Sequence, residues 1–153
     1  MKITLKDGIV KEFDQAVSVL DIAKSISEGL ARNACAGIVD GEVQDLRYVV
    51  NQDATVSICT FEEEAGKMAF RHTTSHILAQ AVKRLYPEVK LAIGPAIADG
   101  FYYDFDKEKA FTPEELEAIE AEMKKIVKED LPIERFELPR EEATQYMTER
   151  EEP

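Results

Sequence analysis

The chain has 153 residues, of which 44% are hydrophobic and 33% are charged. This length accommodates one domain or two small ones and excludes a large multidomain enzyme. The balance of apolar and charged residues is typical of a globular protein and not of a disordered chain.

The chain is acidic, with 19 Lys and Arg against 31 Asp and Glu and a formal net charge of −12. Because phosphate binding depends largely on Lys and Arg, this charge argues against tight, autonomous binding of nucleic acid. Any nucleic-acid partner would have to be held mostly by another part of a larger assembly. No apolar run approaches the length of a membrane span, and the first residues do not form a signal-peptide core. We therefore expect a cytoplasmic protein without membrane contact.

The two cysteines, Cys35 and Cys59, are far apart in the sequence. They could form a disulfide or bind a metal, but in a chain of cytosolic character such cysteines are more often small apolar side chains of the core.

The N-terminal residues alternate between apolar and polar types. Residues 2–13, split by the turn signal Asp7-Gly8, predict a β-hairpin. Residues 18–30 repeat apolar side chains at helical spacing after Ser18, which predicts a helix of about ten residues that ends at Gly29.

Residues 34–43 predict a second hairpin, and residues 55–59 predict a final strand. This order of elements suits a β-grasp domain, a small mixed sheet wrapped round one helix, over residues 1–61. The segment contains no histidine, and a structural or docking role explains it better than catalysis does. The acidic residues that follow predict a linker over residues 62–66.

Both histidines of the chain fall within residues 67–86, which predict a helix closed by Pro87. His72 and His76 are four residues apart, so their side chains emerge on one face, away from the main apolar stripe of the helix. Two exposed histidines on a solvated face are one interpretation, and an active or metal site is the other. A zinc ion would need at least one further ligand, and no other histidine can supply it.

Two apolar stretches joined by Asp99-Gly100 predict a further hairpin over residues 90–106. Gly94 interrupts the first strand, which indicates either an ordinary bulge or a close approach of a ligand to the backbone. In the second strand Tyr103 shares a face with two phenylalanines, so it either packs in a core or reaches a substrate carbonyl.

The last third of the chain predicts a helix from the capping box at Thr112, a strand over residues 131–138 and a further helix over residues 141–150. The sequence stops without closing a structural unit, so we expect it to be part of a longer protein.

Residues 72–106 resemble the second N-terminal domain of the bacterial threonyl-tRNA synthetase family. The resemblance is carried by four runs: His-Thr-Thr-Ser-His-Ile-Leu-Ala-Gln-Ala-Val from His72, Leu-Tyr-Pro from Leu85, Lys-Leu-Ala-Ile-Gly-Pro from Lys90, and Gly-Phe-Tyr-Tyr-Asp-Phe-Asp from Gly100. Residues 1–61 resemble the TGS domain that precedes it in that family. The resemblance implies an α+β protein with a β-grasp (ubiquitin-like) TGS domain, a linker and, over residues 67–153, the N-terminal part of the editing domain.

In this family the editing domain hydrolyses serine wrongly attached to threonine tRNA. The resemblance implies that His72, His76 and Tyr103 form the catalytic half-site and that Asp104 and Gly94 bind substrate. The family's site also uses a Cys-x-x-x-His pair and a lysine, and no cysteine or lysine follows Lys128 here. We therefore expect this chain alone to be inactive and to bind no cofactor. A metal ion bound by the two histidines remains an alternative.

The resemblance also implies properties of the full-length enzyme, which ligates threonine to its tRNA. These are ATP, zinc and magnesium as cofactors, threonine tRNA and the rest of the synthetase chain as partners, and a homodimer. Two other interpretations remain: a non-catalytic module that binds RNA or a small ligand, and an alanyl-type editing relative. The β-grasp segment at residues 1–61 argues against the second.

Overall fold

The computed structural model describes residues 1–134 and 136–150. It divides into two compact units, Met1–Arg71 and His72–Pro153. None of the helices in the described part of the chain is long and apolar enough to cross a membrane.

The first unit is a mixed sheet with one main helix packed on it. Its strands are β1 (Lys2–Leu5), β2 (Val10–Glu12), β3 (Val17–Ser18), β4 (Ala34–Val39), β5 (Glu42–Gln44), β6 (Val49–Val50) and β7 (Ala54–Thr60). The central sheet has the strand order β2-β1-β7-β4-β5, in which β1 and β7 are parallel and the other pairs are antiparallel. A short antiparallel pair, β3 with β6, lies outside this sheet.

The helix α1 (Val19–Ile26) packs on this sheet through Val19 and Ile22, which are buried in one cluster with Ile3 and Val56. Burial of such branched side chains contributes roughly 1.5–3 kcal/mol each. The arrangement confirms the predicted β-grasp fold of the N-terminal segment.

The helix predicted to end at Gly29 is interrupted earlier, at Ser27. This residue is extended, with φ −165° and ψ 150°, and its hydroxyl accepts a hydrogen bond from the Leu30 N–H, which caps a second helix, α2 (Glu28–Asn33). Serine competes with the helix by bonding to nearby backbone groups, so it ends α1 and starts α2. Gly29 therefore lies inside α2 and is not a helix stop.

Both cysteines are free, and Cys59 is buried in the first unit while Cys35 is partly buried. Burial raises the pKa of both thiols, and the nearby carboxylate of Glu63 raises each further. The two side chains are therefore in their neutral form at pH 7, as expected for small apolar core residues.

The histidine-bearing helix, α3 (Glu64–Leu85), begins three residues before the predicted start. The main-chain N–H and the hydroxyl of Thr60 both donate to the Glu63 carboxylate, at 2.8 and 2.9 Å, and this holds the turn that starts the helix. A Cβ on Gly66 would overlap the Thr60 carbonyl oxygen, so this close approach requires glycine. The last three residues of the predicted linker are thus helical.

The second unit combines the rest of α3 with a nested hairpin and two more helices. The elements are β8 (Lys90–Leu91), β9 (Ala96–Ile97), β10 (Gly100–Phe101), β11 (Phe105–Asp106), α4 (Pro113–Glu129) and α5 (Arg140–Glu149). In the hairpin β9 pairs with β10, and β8 pairs with β11, both antiparallel.

The helix α4 begins at the predicted capping box, in which Thr112 and Glu115 exchange hydrogen bonds. Ile119 and Ile126 on α4 are buried in one cluster with Val82 of α3. The predicted apolar stripe of α4 is only partly used, because Leu116 and Val127 are 54% and 61% exposed.

The strand predicted over residues 131–138 does not form in the described residues of that stretch, and Arg135 lies outside them. A strand is stable only when a neighbouring strand accepts and donates its hydrogen bonds, and Pro132 has no N–H to donate. The apolar side chains of this segment are exposed, Ile133 at 60% and Phe136 at 62%.

Candidate functional site

His72 and His76 lie in direct contact on the exposed face of α3. Their Nε2 atoms are 3.0 Å apart, and their rings meet edge to face with centroids separated by 4.5 Å. At this distance one Nε2 carries a proton and donates it, and the other accepts with its lone pair. The two rings are therefore within hydrogen-bonding distance of each other.

The packing of α3 directs both histidines to solvent. Ala81 and Val82, which point away from the two histidines, are buried in the core of the second unit, and this packing fixes the rotation of α3 about its axis. The helical spacing of four residues then places the two imidazoles one turn apart on the free side. This orientation agrees with the sequence prediction that the pair lies outside the apolar stripe.

The pKa of His76 is below its ordinary value of 6.5. Partial desolvation of the ring is the larger cause, because it disfavours the charged form, and the neighbouring His72 ring is the smaller one. At neutral pH His76 is therefore uncharged, and the pair can take up a proton from a reacting group.

Gly94 and Tyr103 are brought into contact within the hairpin. A Cβ built on Gly94 would lie 2.7 Å from Cγ of Tyr103 and closer still to Cδ2 and Cε2. The Tyr103 ring also stacks on Phe105, with centroids 4.9 Å apart and an angle of 18° between the planes. These contacts match the packing role that the sequence allowed for Tyr103.

Asp104 joins the two arms of the hairpin through its backbone. Its N–H donates to the Ile93 carbonyl at 2.9 Å, and its carbonyl accepts from the Ala92 N–H at 3.0 Å. Its side chain is exposed. The carboxylate is thus available to a ligand, while the backbone sets the register that puts Gly94 beside Tyr103.

Hydrogen bonds and ring contacts of the described residues do not join either histidine to Tyr103, Asp104 or Gly94. The five predicted site residues therefore form two groups, the histidine pair on α3 and the glycine–tyrosine contact with its neighbour Asp104 in the hairpin. The roles predicted for them stay predictions.

The histidine pair alone does not make a zinc site. Two imidazole ligands of one tetrahedral zinc would be separated by about 3.3 Å, close to the spacing of this pair. Zinc nevertheless needs at least three protein ligands, and across residues 1–134 and 136–150 no three His, Cys, Asp or Glu side chains converge in a way that could hold a metal ion.

Ser75 is a residue of this region that the sequence analysis missed. It is the fully buried polar side chain of α3, and its hydroxyl donates to the main-chain oxygen of His72 at 2.7 Å. A serine within a helix commonly donates a hydrogen bond to the carbonyl three or four residues earlier. This tendency could have predicted the bond from Ser75 to His72 from the sequence.

Comparison with known proteins gives this geometry a family context. Residues 1–60 match the family model of the TGS domain. The whole chain is 63% identical to part of the threonine–tRNA ligase of Acetivibrio thermocellus and covers 24% of that protein. It is homologous to the N-terminal part of bacterial threonine–tRNA ligases.

Other relatives give the same result. The threonine–tRNA ligase of Clostridium botulinum is 65% identical over 147 residues, which is 96% of this chain and 23% of that protein. That of Clostridioides difficile is 60% identical over 152 residues, which is 99% of this chain and 24% of that protein. The resemblance that the sequence predicted is thus confirmed, and the relatives are aminoacyl-tRNA synthetases.

The chain spans about a quarter of the length of the curated relatives it matches. Residues 61–153, which carry both histidines and the hairpin, lie within the matched part of the relatives but beyond the TGS match.

Proposed function

We propose that this chain serves in a threonine–tRNA ligase and that residues 67–153 contribute to hydrolysis of seryl-tRNA formed in error. The single observation that carries this proposal is the contact of His72 with His76, Nε2 to Nε2 at 3.0 Å, on the exposed face of α3. The homology to threonine–tRNA ligases over the whole chain supports the identity of the substrate class.

The chemistry needed is hydrolysis of an ester between an amino acid and a ribose hydroxyl. Water attacks the carbonyl carbon, one of its protons must be accepted, and the ribose oxygen leaves with a proton. An imidazole pair in which His76 is uncharged at neutral pH can accept the first proton and return one to the leaving oxygen. In this proposal His72 and His76 move the proton, and the Tyr103 hydroxyl and Asp104 orient the aminoacyl group.

The need for such a reaction follows from the small difference between serine and threonine. Serine lacks one methyl group, and a binding pocket discriminates one such group by only ~1–3 kcal/mol. A second site that admits the smaller residue and hydrolyses its ester supplies the remaining selectivity. Residues beyond position 153 would complete that site, so we expect the 153-residue chain alone to be inactive.

The other properties of the parent enzyme are part of the same proposal. Threonine tRNA would be the partner, ATP, zinc and magnesium would serve the threonine ligation carried out by other parts of the protein, and the enzyme would be a cytoplasmic homodimer. The net charge of −12 supports the proposal that this chain does not bind tRNA tightly alone and that other parts of the enzyme supply most of the binding. No step assigned to the histidine pair passes through a metal ion.

The test is deacylation of seryl-tRNA by the full-length product of the gene that encodes this chain. We expect His72→Ala and His76→Ala each to lower the rate by at least about a hundredfold, which is typical for loss of a general base. Charging of tRNA with threonine should be unchanged in both variants.

The matched control is Gln80→Ala, which removes another exposed polar side chain from α3. It should leave both reactions unaffected. Full deacylation activity in both histidine variants would refute the proposed role of the pair.

A further inference from the structure

Gly94 makes room for the Tyr103 ring. Real Cβ atoms essentially never come within 3.0 Å of a neighbouring heavy atom, and a Cβ at Gly94 would approach three atoms along one side of this ring more closely than that. Any side chain at position 94 would therefore displace the ring or the backbone.

The rest of the hairpin gives the ring little freedom to move away. Phe105, the first residue of β11 and two positions further along the chain, stacks on the Tyr103 ring. Phe105 in turn meets Phe111 edge to face with centroids 5.8 Å apart. Phe105 and Phe111 both pack against the buried core of the second unit. Phe105 and Phe111 thus hold one end of this group of stacked rings against the core, and Tyr103 forms the other end.

The backbone fixes the two partners side by side. The hydrogen bonds from Asp104 N–H to Ile93 O, 2.9 Å, and from Ala92 N–H to Asp104 O, 3.0 Å, set which residues face each other across the hairpin. Among the described residues, no protein group donates to or accepts from the Tyr103 hydroxyl.

We propose that Gly94 is a positioning residue for Tyr103 and is not itself a substrate-binding residue. Its missing side chain lets the ring pack against the backbone, and this contact aims the phenol hydroxyl. That the hydroxyl meets the aminoacyl ester rests on the function proposed above, whereas the coupling of the two residues does not.

The coupling is tested in the 153-residue chain with Gly94→Ala, Tyr103→Ala and the double variant. Gly94→Ala should shift the aromatic NMR resonances of Tyr103 and lower the melting temperature by more than about 4 °C. In the Tyr103→Ala background the same glycine substitution should change the melting temperature by less than about 1 °C, because the clash is gone.

The control is Gly29→Ala, whose Cβ would meet its nearest atom, Ser27 Oγ, only at 4.0 Å. It should leave the Tyr103 resonances unmoved. Equal losses in both backgrounds, or unmoved Tyr103 resonances in Gly94→Ala, would overturn the proposal. If Gly94→Ala does not fold, the double variant should fold, and failure of both would also overturn it.

The functional part is measured with the full-length enzyme. Gly94→Ala should lower kcat for seryl-tRNA deacylation about tenfold or more and leave threonine ligation intact, because misplaced catalytic groups lose rate steeply. If the melting temperatures show that the two residues are coupled but deacylation is unchanged, Tyr103 has no role in substrate binding. The positioning of its ring by Gly94 would still hold. Direct substrate binding by Gly94 predicts instead that deacylation falls while the Tyr103 resonances stay in place.

Discussion

The buried hydroxyl of Ser75 donates a 2.7 Å hydrogen bond to the main-chain oxygen of His72, the first residue of the histidine pair. The bond joins the turn of α3 that carries His72 to the packed side of the helix. It also satisfies a polar group that would otherwise be costly to bury.

Replacing Ser75 with alanine should therefore lower the free energy of unfolding by about 0.5–1.5 kcal/mol. Chemical denaturation measures this loss. Thr73→Ala, an exposed hydroxyl two residues away, is the matched control and should stay within about 0.5 kcal/mol of the wild type. Equal stability of the two variants would show that the Ser75 hydrogen bond contributes nothing.

In an NMR titration of this chain, the pKa of His76 should lie below 6.5. Replacing His72 with glutamine should raise the pKa of His76, because the neighbouring ring no longer opposes its charge, but not to 6.5, since desolvation is the larger cause. A pKa of His76 above 6.5 in the wild type would contradict the partial desolvation of its ring.

The same shift makes stability depend on pH with a defined sign. Because the folded state holds the His76 proton more weakly than the unfolded state does, unfolding takes up protons in acid. The contribution of His76 to stability is present above pH 6.5 and is lost as the pH falls through its lower folded pKa. A His76→Gln variant should lack this part of the acid destabilisation.

Arg84 near the end of α3 binds Glu129 at the end of α4 with two hydrogen bonds of 2.7 Å, and it also contacts Glu122 at 3.2 Å. These carboxylates raise the pKa of Arg84, and Arg84 helps to lower the pKa of each carboxylate. Because three charge-assisted hydrogen bonds share one guanidinium, Arg84→Gln should lower the melting temperature.

The loss in Arg84→Gln should shrink in high salt, because exposed charges are screened. Lys128→Gln removes another cation from α4 for which the structure gives no ion pair, and it serves as the control. A melting temperature in Arg84→Gln equal to that of the control would mean that the pair does not stabilise the unit.

Gly66 is the residue whose substitution should most disturb the start of α3. An added Cβ would overlap the Thr60 carbonyl oxygen, which belongs to the backbone and cannot rotate away. Gly66→Ala should lower the free energy of unfolding by about 1–3 kcal/mol. Gly29→Ala, inside α2 with open space around it, should instead be neutral or stabilise by about 0.5 kcal/mol.

The sequence predicted those elements that have a strong local pattern. The hairpins, the capping box at Thr112 and the rotation of α3 that exposes His72 and His76 follow from periodicity and turn residues. The short pair of β3 with β6 was missed because two-residue strands carry no period.

Features that depend on distant packing could not be predicted. The break at Ser27 depends on a serine side chain that caps α2 where α1 ends. The close approach of Gly66 to Thr60 depends on the path of the backbone. The strand predicted at residues 131–138 has the right alternation but lacks a partner among the described residues. The contact of Gly94 with Tyr103 required coordinates, since neither residue type alone predicts it.

The pH dependence of seryl-tRNA deacylation by the full-length enzyme tests the role of the histidine pair most directly. In single-turnover reactions we expect the rate to rise with pH to a plateau, with a midpoint below 6.5 that moves upward in His72→Gln, as the pKa of His76 does. A rate that does not change between pH 5 and 8, or a midpoint that is the same in both proteins, would contradict proton transfer through these two imidazoles.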